Sequence, residues 1–292
     1  MMDGHEQERP RHEARLSAAL YLVPTPLGNL GDITLRALDV LRRADHVAAE
    51  DTRQARRLLA HFGIQARLLS LHEHNEAAAA HRIVELLSAG QSVALVSDAG
   101  TPCISDPGAR LVAALRAAGH AIVPLPGPNA AVTAVSAAGL DDAHFLFYGF
   151  LPVRQAARRK VLEELRPLPF ALVFYEAPHR IVESVADLAD LLEPERSLVI
   201  GRELTKLFET LACMPLPDAP QWLAEDHHRR RGEFVLVVSA PPAATGLTPD
   251  AERVLRILLA ELPLKQAVRL AAEISGGARN LLYDLALTLR VK

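Results

Sequence analysis

Short apolar runs alternate along the chain with longer segments of helical period, and this alternation predicts most of the fold. Leu20–Val23, His46–Ala49, Arg67–Leu71, Val93–Val96 and Ala121–Val123 read as short strands, and the Val93–Val96 run as one buried on both faces. Between them lie segments of helical spacing, carrying Leu35, Leu38 and Leu41, then Arg53, Arg56 and Arg57, then Ile83, Leu86 and Leu87, and a further one from Leu111. Asp32 reads as the cap of the first helix. Asp106 followed by Pro107 reads as the cap of the helix after the fourth strand, and Gly63, Gly90 and Gly119 as helix ends. Strand-loop-helix repeated in this way implies a mostly parallel sheet with helices on both faces.

From Asp141 the rhythm changes. Phe145–Gly149, Phe170–Tyr175, Ser197–Ile200, Phe208–Ala212 and Phe234–Val238 are apolar runs with fewer helical segments between them, so some should pair antiparallel. Residues Ala240–Gly246 read as a linker, followed by helical segments over 250–262, 264–274 and 278–289. The expected organisation is a disordered tail over 1–19, an N-terminal α/β domain over 20–140, a C-terminal α+β domain with a mixed sheet over 141–240, and a small helical appendage over 247–292.

Composition narrows the function classes. Half of the 292 residues are hydrophobic and the formal net charge is −3, so no global basic field advertises nucleic acid. The 2 cysteines form no CxxC pair, which fits a reducing cytosol and no structural zinc site. The tail lacks the apolar stretch of a secretory signal, and no apolar run suits a membrane span. There is no GxxxxGK(S/T) phosphate loop, no GxGxxG after the first strand and no GxSxG elbow. His72-Glu73-His74 lacks the spacing of a helical zinc motif, so no metal is expected. What remains is a set of Gly- and Pro-rich loops at strand ends: PTPLGNLGD (24–32), SDAGTPCISDPG (97–108) and PLPGPNAA (124–131). Carboxyl-end loops of a parallel sheet line a shared crevice, so a two-domain enzyme with a small organic ligand is expected.

PTPLGNLGDITLRAL, AAEDTR, LHEHNE, LVSDAGTPCISDPG, PLPGPNAA, FYEAPHRI, RELTK and RGEFVLVV occur in one order over Leu20–Ala240. Together they resemble the ribosomal small-subunit RNA 2′-O-methyltransferase I family of the tetrapyrrole (corrin/porphyrin) methylase superfamily. ISGGARNLLYDLAL resembles that family's C-terminal extension. Many corrin-type members carry Gly-Asp-Pro where this chain has Gly100-Thr101-Pro102, which points to the RNA branch. The resemblance implies a two-domain fold, a cytoplasmic homodimer and S-adenosylmethionine bound between the domains. The substrate it implies is the 2′-hydroxyl of one decoding-region cytidine, cytidine 1402, in 16S rRNA of the 30S subunit. Carried over by position, the cofactor contacts are Pro26, Gly28, Asp98, Gly100, Thr101, Ile104, Ser105, Ala130, Ala131, Tyr175, Glu176, Leu204 and Thr205.

A ribose hydroxyl needs positioning and a proton acceptor. The candidates are residues of the RNA-type motifs at strand ends: Glu50, Asp51, His72, Glu73, His74, Glu176 and Lys206. Each has a plainer reading. The histidines suit surface hydrogen bonds, Glu50 and Asp51 suit a helix N-terminus, and Glu176 and Lys206 suit salt bridges. For RNA phosphates, the cation groups are Arg53, Arg56 and Arg57; Arg154, Arg158, Arg159 and Lys160; and Arg229, Arg230 and Arg231. Two other functions compete: methylation of a corrin precursor or another small molecule, and ribosome binding without catalysis.

Overall fold

The computed structural model describes residues 15–72, 75–141, 144–242, 246–247 and 249–290. The candidates Glu73 and His74, and tail residues 1–14, lie outside them. A first sheet joins β1 (Ala19–Leu22), β2 (His46–Ala49), β3 (Leu68–Ser70), β4 (Val93–Val96) and β5 (Ala121–Pro124) in the order β3-β2-β4-β1-β5. Every pair is parallel. The unbroken apolar run of β4 is explained by burial on both sides. Ala94 and Val96 pack with α1 (Leu35–Arg43) and α2 (Thr52–His61), while Val93 and Leu95 pack with α3 (Glu76–Ser88) and α4 (Ala109–Ala117). The strands beside β4 therefore send their helices to the opposite face from α4. A crevice opens at the carboxyl end of β4 where the chain changes direction.

The second sheet joins β6 (Phe145–Phe150), β7 (Ala171–Glu176), β8 (Ser197–Arg202), β9 (Thr210–Pro215) and β10 (Phe234–Val238) in the order β6-β7-β10-β8-β9. Only β6 and β7 run parallel; the other pairs are antiparallel, as the mixed pattern implied. Helices α6 (Gln155–Leu165), α7 (Ile181–Leu191) and α8 (Ala219–Glu225) cover one face. The other face is covered by α5 (Ala130–Ala137), whose Ala131 and Ala134 meet Val173, Val199, Val235 and Val237. By sequence rhythm α5 belongs to the first sheet; its small apolar side chains instead let it lie close on the second. The two sheets share one compact unit ending at Pro241.

Two helix starts differ from expectation. Thr34, not Asp32, caps α1, its hydroxyl accepting the Ala37 N–H; Asp32 sits in the preceding 3-10 turn. Asp106 does not cap α4. Gly108, at φ 126°, precedes that helix, and its free N–H groups are taken up from α3. Glu76 Oε1 accepts the N–H groups of Gly108, Arg110 and Leu111 at 3.1, 3.0 and 3.2 Å.

Residues from Pro242 form a second unit. There α9 (Pro249–Glu261), α10 (Leu264–Ser275) and α11 (Arg279–Arg290) bury Leu255, Val268, Ala271 and Leu282 against one another. Gly276, in the left-handed region, ends α10. No helix among the described residues is long and apolar enough to cross a membrane.

Candidate active site

The Gly- and Pro-rich loops meet at the end of β4. Thr25 and Gly100 exchange two backbone hydrogen bonds of 2.9 and 3.0 Å, which stitch the β1 loop to the β4 loop. Thr101 Oγ1 donates to the Pro128 carbonyl at 2.9 Å and ties in the loop before α5. Gly100 adopts φ 80°, a conformation that a side chain would strain. Cys103 and Ser105 hold positive φ without being glycine, which marks the loop as constrained by its surroundings. Across the crevice β6 shifts register at Gly149, and a Cβ there would sit 2.8 Å from Ser105 Oγ. The first loop system and the second sheet therefore touch backbone to side chain.

Between them lies a cavity of about 360 Å³. Of the expected cofactor contacts, Asp98, Gly100, Thr101, Ile104, Ser105 and Ala130 line it from the first side, and Tyr175, Glu176 and Leu204 from the second. Pro26 and Gly28 do not. They face a neighbouring cavity of about 330 Å³ whose wall Asp98 shares. Ala131 is turned to structure: its N–H donates to Tyr175 Oη at 3.2 Å. Thr205 sits in a positive-φ turn whose N–H donates to the Glu209 carboxylate. The motifs did not single out Leu27, Asp106, Phe150 and Glu233 as contacts, and all four line the cavity. Asp106 was hidden by looking like a helix cap.

The charged residues on the wall are Asp98, Asp106, Glu176 and Glu233; no Lys, Arg or His lines it among the described residues. Burial, with Glu50 and Asp98 adding negative charge, pushes the Asp106 carboxyl up to about 7. Burial also raises Asp98, against the N–H of Asp51 (3.2 Å), while the Gln54 amide holds its other oxygen at 3.0 Å. Tyr175 is raised by burial and, in part, by Asp106 across the cavity.

Three candidate catalytic groups are placed differently from a free base. Glu176 has a fully buried side chain and accepts from Ala177 N–H (2.8 Å), Arg180 Nε (2.8 Å) and Ser184 Oγ (2.5 Å). Its carboxylate shapes the strand end, so the salt-bridge reading replaces the catalytic one. Lys206 pairs with Glu203 at 2.9 Å and Glu233 at 2.7 Å. Burial pulls its pKa down, but these partners outweigh it and keep the amine charged, unfit as a base. Its methylenes lie over Gly28, where a side chain would collide with them. His72 is half-buried after β3, its N–H donating to Asn75 Oδ1 at 2.8 Å, and it does not line the cavity. Glu50 remains beside Asp106, while Asp51 caps α2.

Residues 19–220 match the family of Tetrapyrrole (Corrin/Porphyrin) Methylases, and residues 245–290 match the RsmI C-terminal HTH domain. The chain is 51% identical over 269 residues to a protein of Escherichia coli O157:H7 named Ribosomal RNA small subunit methyltransferase I, with 92% of this chain and 94% of that one covered. It is 52% identical over 270 residues to the protein of that name from Vibrio cholerae serotype O1, at the same coverage. The chain belongs to the ribosomal RNA small subunit methyltransferase I family. Solved structures share the fold. Diphthine synthase superimposes with a TM-score of 0.60 at 18% identity, covering 76% of this chain and 90% of that one. Uroporphyrin-III C-methyltransferase from Thermus thermophilus, complexed with S-adenosylhomocysteine, gives 0.54 at 17%, covering 76% and 97%.

In this member of the methyltransferase I family the cation groups divide. Arg158 is buried against Asp187 at 2.7 Å and Glu183 at 3.6 Å, so it is structural and cannot meet phosphate. Arg159 bridges Asp187 and Asp190. Arg229 pairs with Glu225 and stacks 4.6 Å over Trp222, and Arg230 donates to the Leu223 and Ala224 carbonyls. These are tied to their own domain. Arg53 grips Asp51 but stays exposed. Arg56, Arg57, Arg154, Lys160 and Arg231 are exposed, and Arg57 lines the cavity beside Pro26 and Gly28.

Proposed function

We propose that the chain is an S-adenosylmethionine-dependent methyltransferase acting on the ribose 2′-hydroxyl of cytidine 1402 in the decoding region of 16S rRNA. The observation that carries the donor is the wall of the cavity: its charged side chains are acidic, and no basic group lines it among the described residues. A sulfonium with an amino-acid ammonium suits that field; a phosphate-bearing cofactor would be repelled. Gly100, Ala130, Ala177 and Gly201 supply small surfaces on which main chain can approach a flat base. When bound, the donor supplies an electrophilic methyl group on a positively charged sulfur. The protein's part is to hold the hydroxyl in line and exclude water. Thr101, joined to Pro128, and Tyr175, joined to Ala131, fix the two walls against each other for that task.

The choice of an RNA target rests on the names of the relatives and on the exposed Arg57, which lines the cavity beside Pro26 and Gly28. The working form in this reading is a cytoplasmic homodimer meeting rRNA within the 30S subunit. The test is incubation with labelled S-adenosylmethionine and unmethylated 30S particles, followed by nuclease digestion and mass spectrometry. The expected result is one methyl group on a cytidine ribose. Label on a base, transfer to a tetrapyrrole instead, or particle binding without S-adenosylhomocysteine would overturn the reading.

A further inference from the structure

The acids of the cavity are not equivalent. Glu176 is occupied by Arg180 and Ser184, Glu233 by Lys206, and Asp98 by Gln54 and the Asp51 N–H. Asp106 differs. It lines the cavity directly, half-buried; like Asp98 it forms no ion pair among the described residues, and its hydrogen-bonding neighbour is the Ser97 hydroxyl. The groups acting on it come from every side of the crevice: Glu50 from the end of β2, Ser97, Asp98 and Cys103 from its own loop, and Tyr175 from β7. None of them is a cation. Tyr175, which lines the same cavity, accepts the Ala131 N–H at its Oη.

We propose that Asp106 accepts the proton of the ribose hydroxyl during methyl transfer, and that the positive charge of the methyl donor holds it as a carboxylate until then. The inference rests on the cavity being the methyl-donor site. Its logic is electrostatic. Buried, and with Glu50 and Asp98 nearby, Asp106 binds a proton near neutrality; a cation placed beside it favours the charged form. In the reaction the hydroxyl oxygen forms the new C–O bond. The C–S bond breaks with its electron pair left on sulfur, and the hydroxyl proton passes to Asp106. The sulfur charge disappears in the same step, so the proton affinity of Asp106 rises as the proton becomes available. Once the products leave, Asp106 returns the proton to solvent.

The test is proton release on binding, without turnover. Titration calorimetry in buffers of different ionisation enthalpy compares S-adenosylmethionine with S-adenosylhomocysteine. At pH 7 a carboxyl titrating near 7 releases about half a proton more to the buffer when the sulfonium ligand binds than when S-adenosylhomocysteine binds. Asp106→Asn should abolish that difference while still binding S-adenosylhomocysteine; Asp98→Asn should keep it. An equal release with both ligands, or an unchanged difference in Asp106→Asn, would overturn the assignment. Infrared difference spectra of the unsubstituted protein give a check that needs no variant. Loss of a protonated carboxyl band on donor binding is expected, and its absence counts against Asp106. If neither ligand binds, the methyl-donor reading itself fails and takes the inference with it; binding without differential release sinks the inference alone.

Discussion

The two walls of the cavity carry similar charge and treat it in opposite ways. On the second-sheet side each acid sits on a cation: Glu176 on Arg180 and Glu233 on Lys206. On the β4 side Asp98 and Asp106 are held by amide and hydroxyl groups only, with Glu50 close by. One wall is electrically complete before any ligand arrives. The other holds carboxyls raised first by burial and then by neighbouring negative charge, and it gains most from a positive guest. The contrast separates structure from recognition more sharply than residue type does.

The comparison breaks most visibly at Glu176. Replacing it with Ala strands Arg180 and Ser184 in a buried site and should cost about 3 kcal/mol in chemical denaturation, because a buried charge loses its partner. A stability loss below ~1 kcal/mol would place Glu176 outside the structural wall. Gly100→Ala comes next. At φ 80° a Cβ costs about 1–2 kcal/mol and presses on Leu27, so donor affinity measured calorimetrically should fall about tenfold. Asp106→Asn should act in the reverse sense on stability. Its folded pKa is raised, so the wild-type carboxyl favours folding most below pH 4 and loses that contribution as pH climbs to about 7. With solvent screening, about 1 kcal/mol is at stake. The variant's Tm at pH 8 should therefore exceed the wild type's by about 2–4 °C, with the gap closing toward pH 4. The smallest effect is expected at Arg53→Ala, an exposed pair whose loss should leave Tm unmoved. Arg56→Ala and Arg57→Ala sharpen the point: each should reduce the salt dependence of RNA binding by about one unit without touching stability.

The parts legible in the sequence were those decided locally. β4 announced itself because both of its faces are buried, and the crevice loops because of their concentration of Gly and Pro. The parts that escaped depend on partners far along the chain. Asp106-Pro107-Gly108 carries the pattern of a helix start, yet the capping carboxylate comes from Glu76, in α3. Arg158 stands in a run that looks solvated, and only α7, which supplies Asp187, buries it. Helix α5 has apolar residues around most of its circumference, so its pattern did not say which sheet it would join.

The Glu76 cap has a consequence for how this chain can vary. One carboxylate oxygen serves three backbone N–H groups of the turn that follows Asp106, so a residue of the HEHNE segment sets the geometry of a loop more than thirty positions away. Losing the carboxylate at position 76 would leave those three N–H groups, next to the cavity wall residue Asp106, without their acceptor.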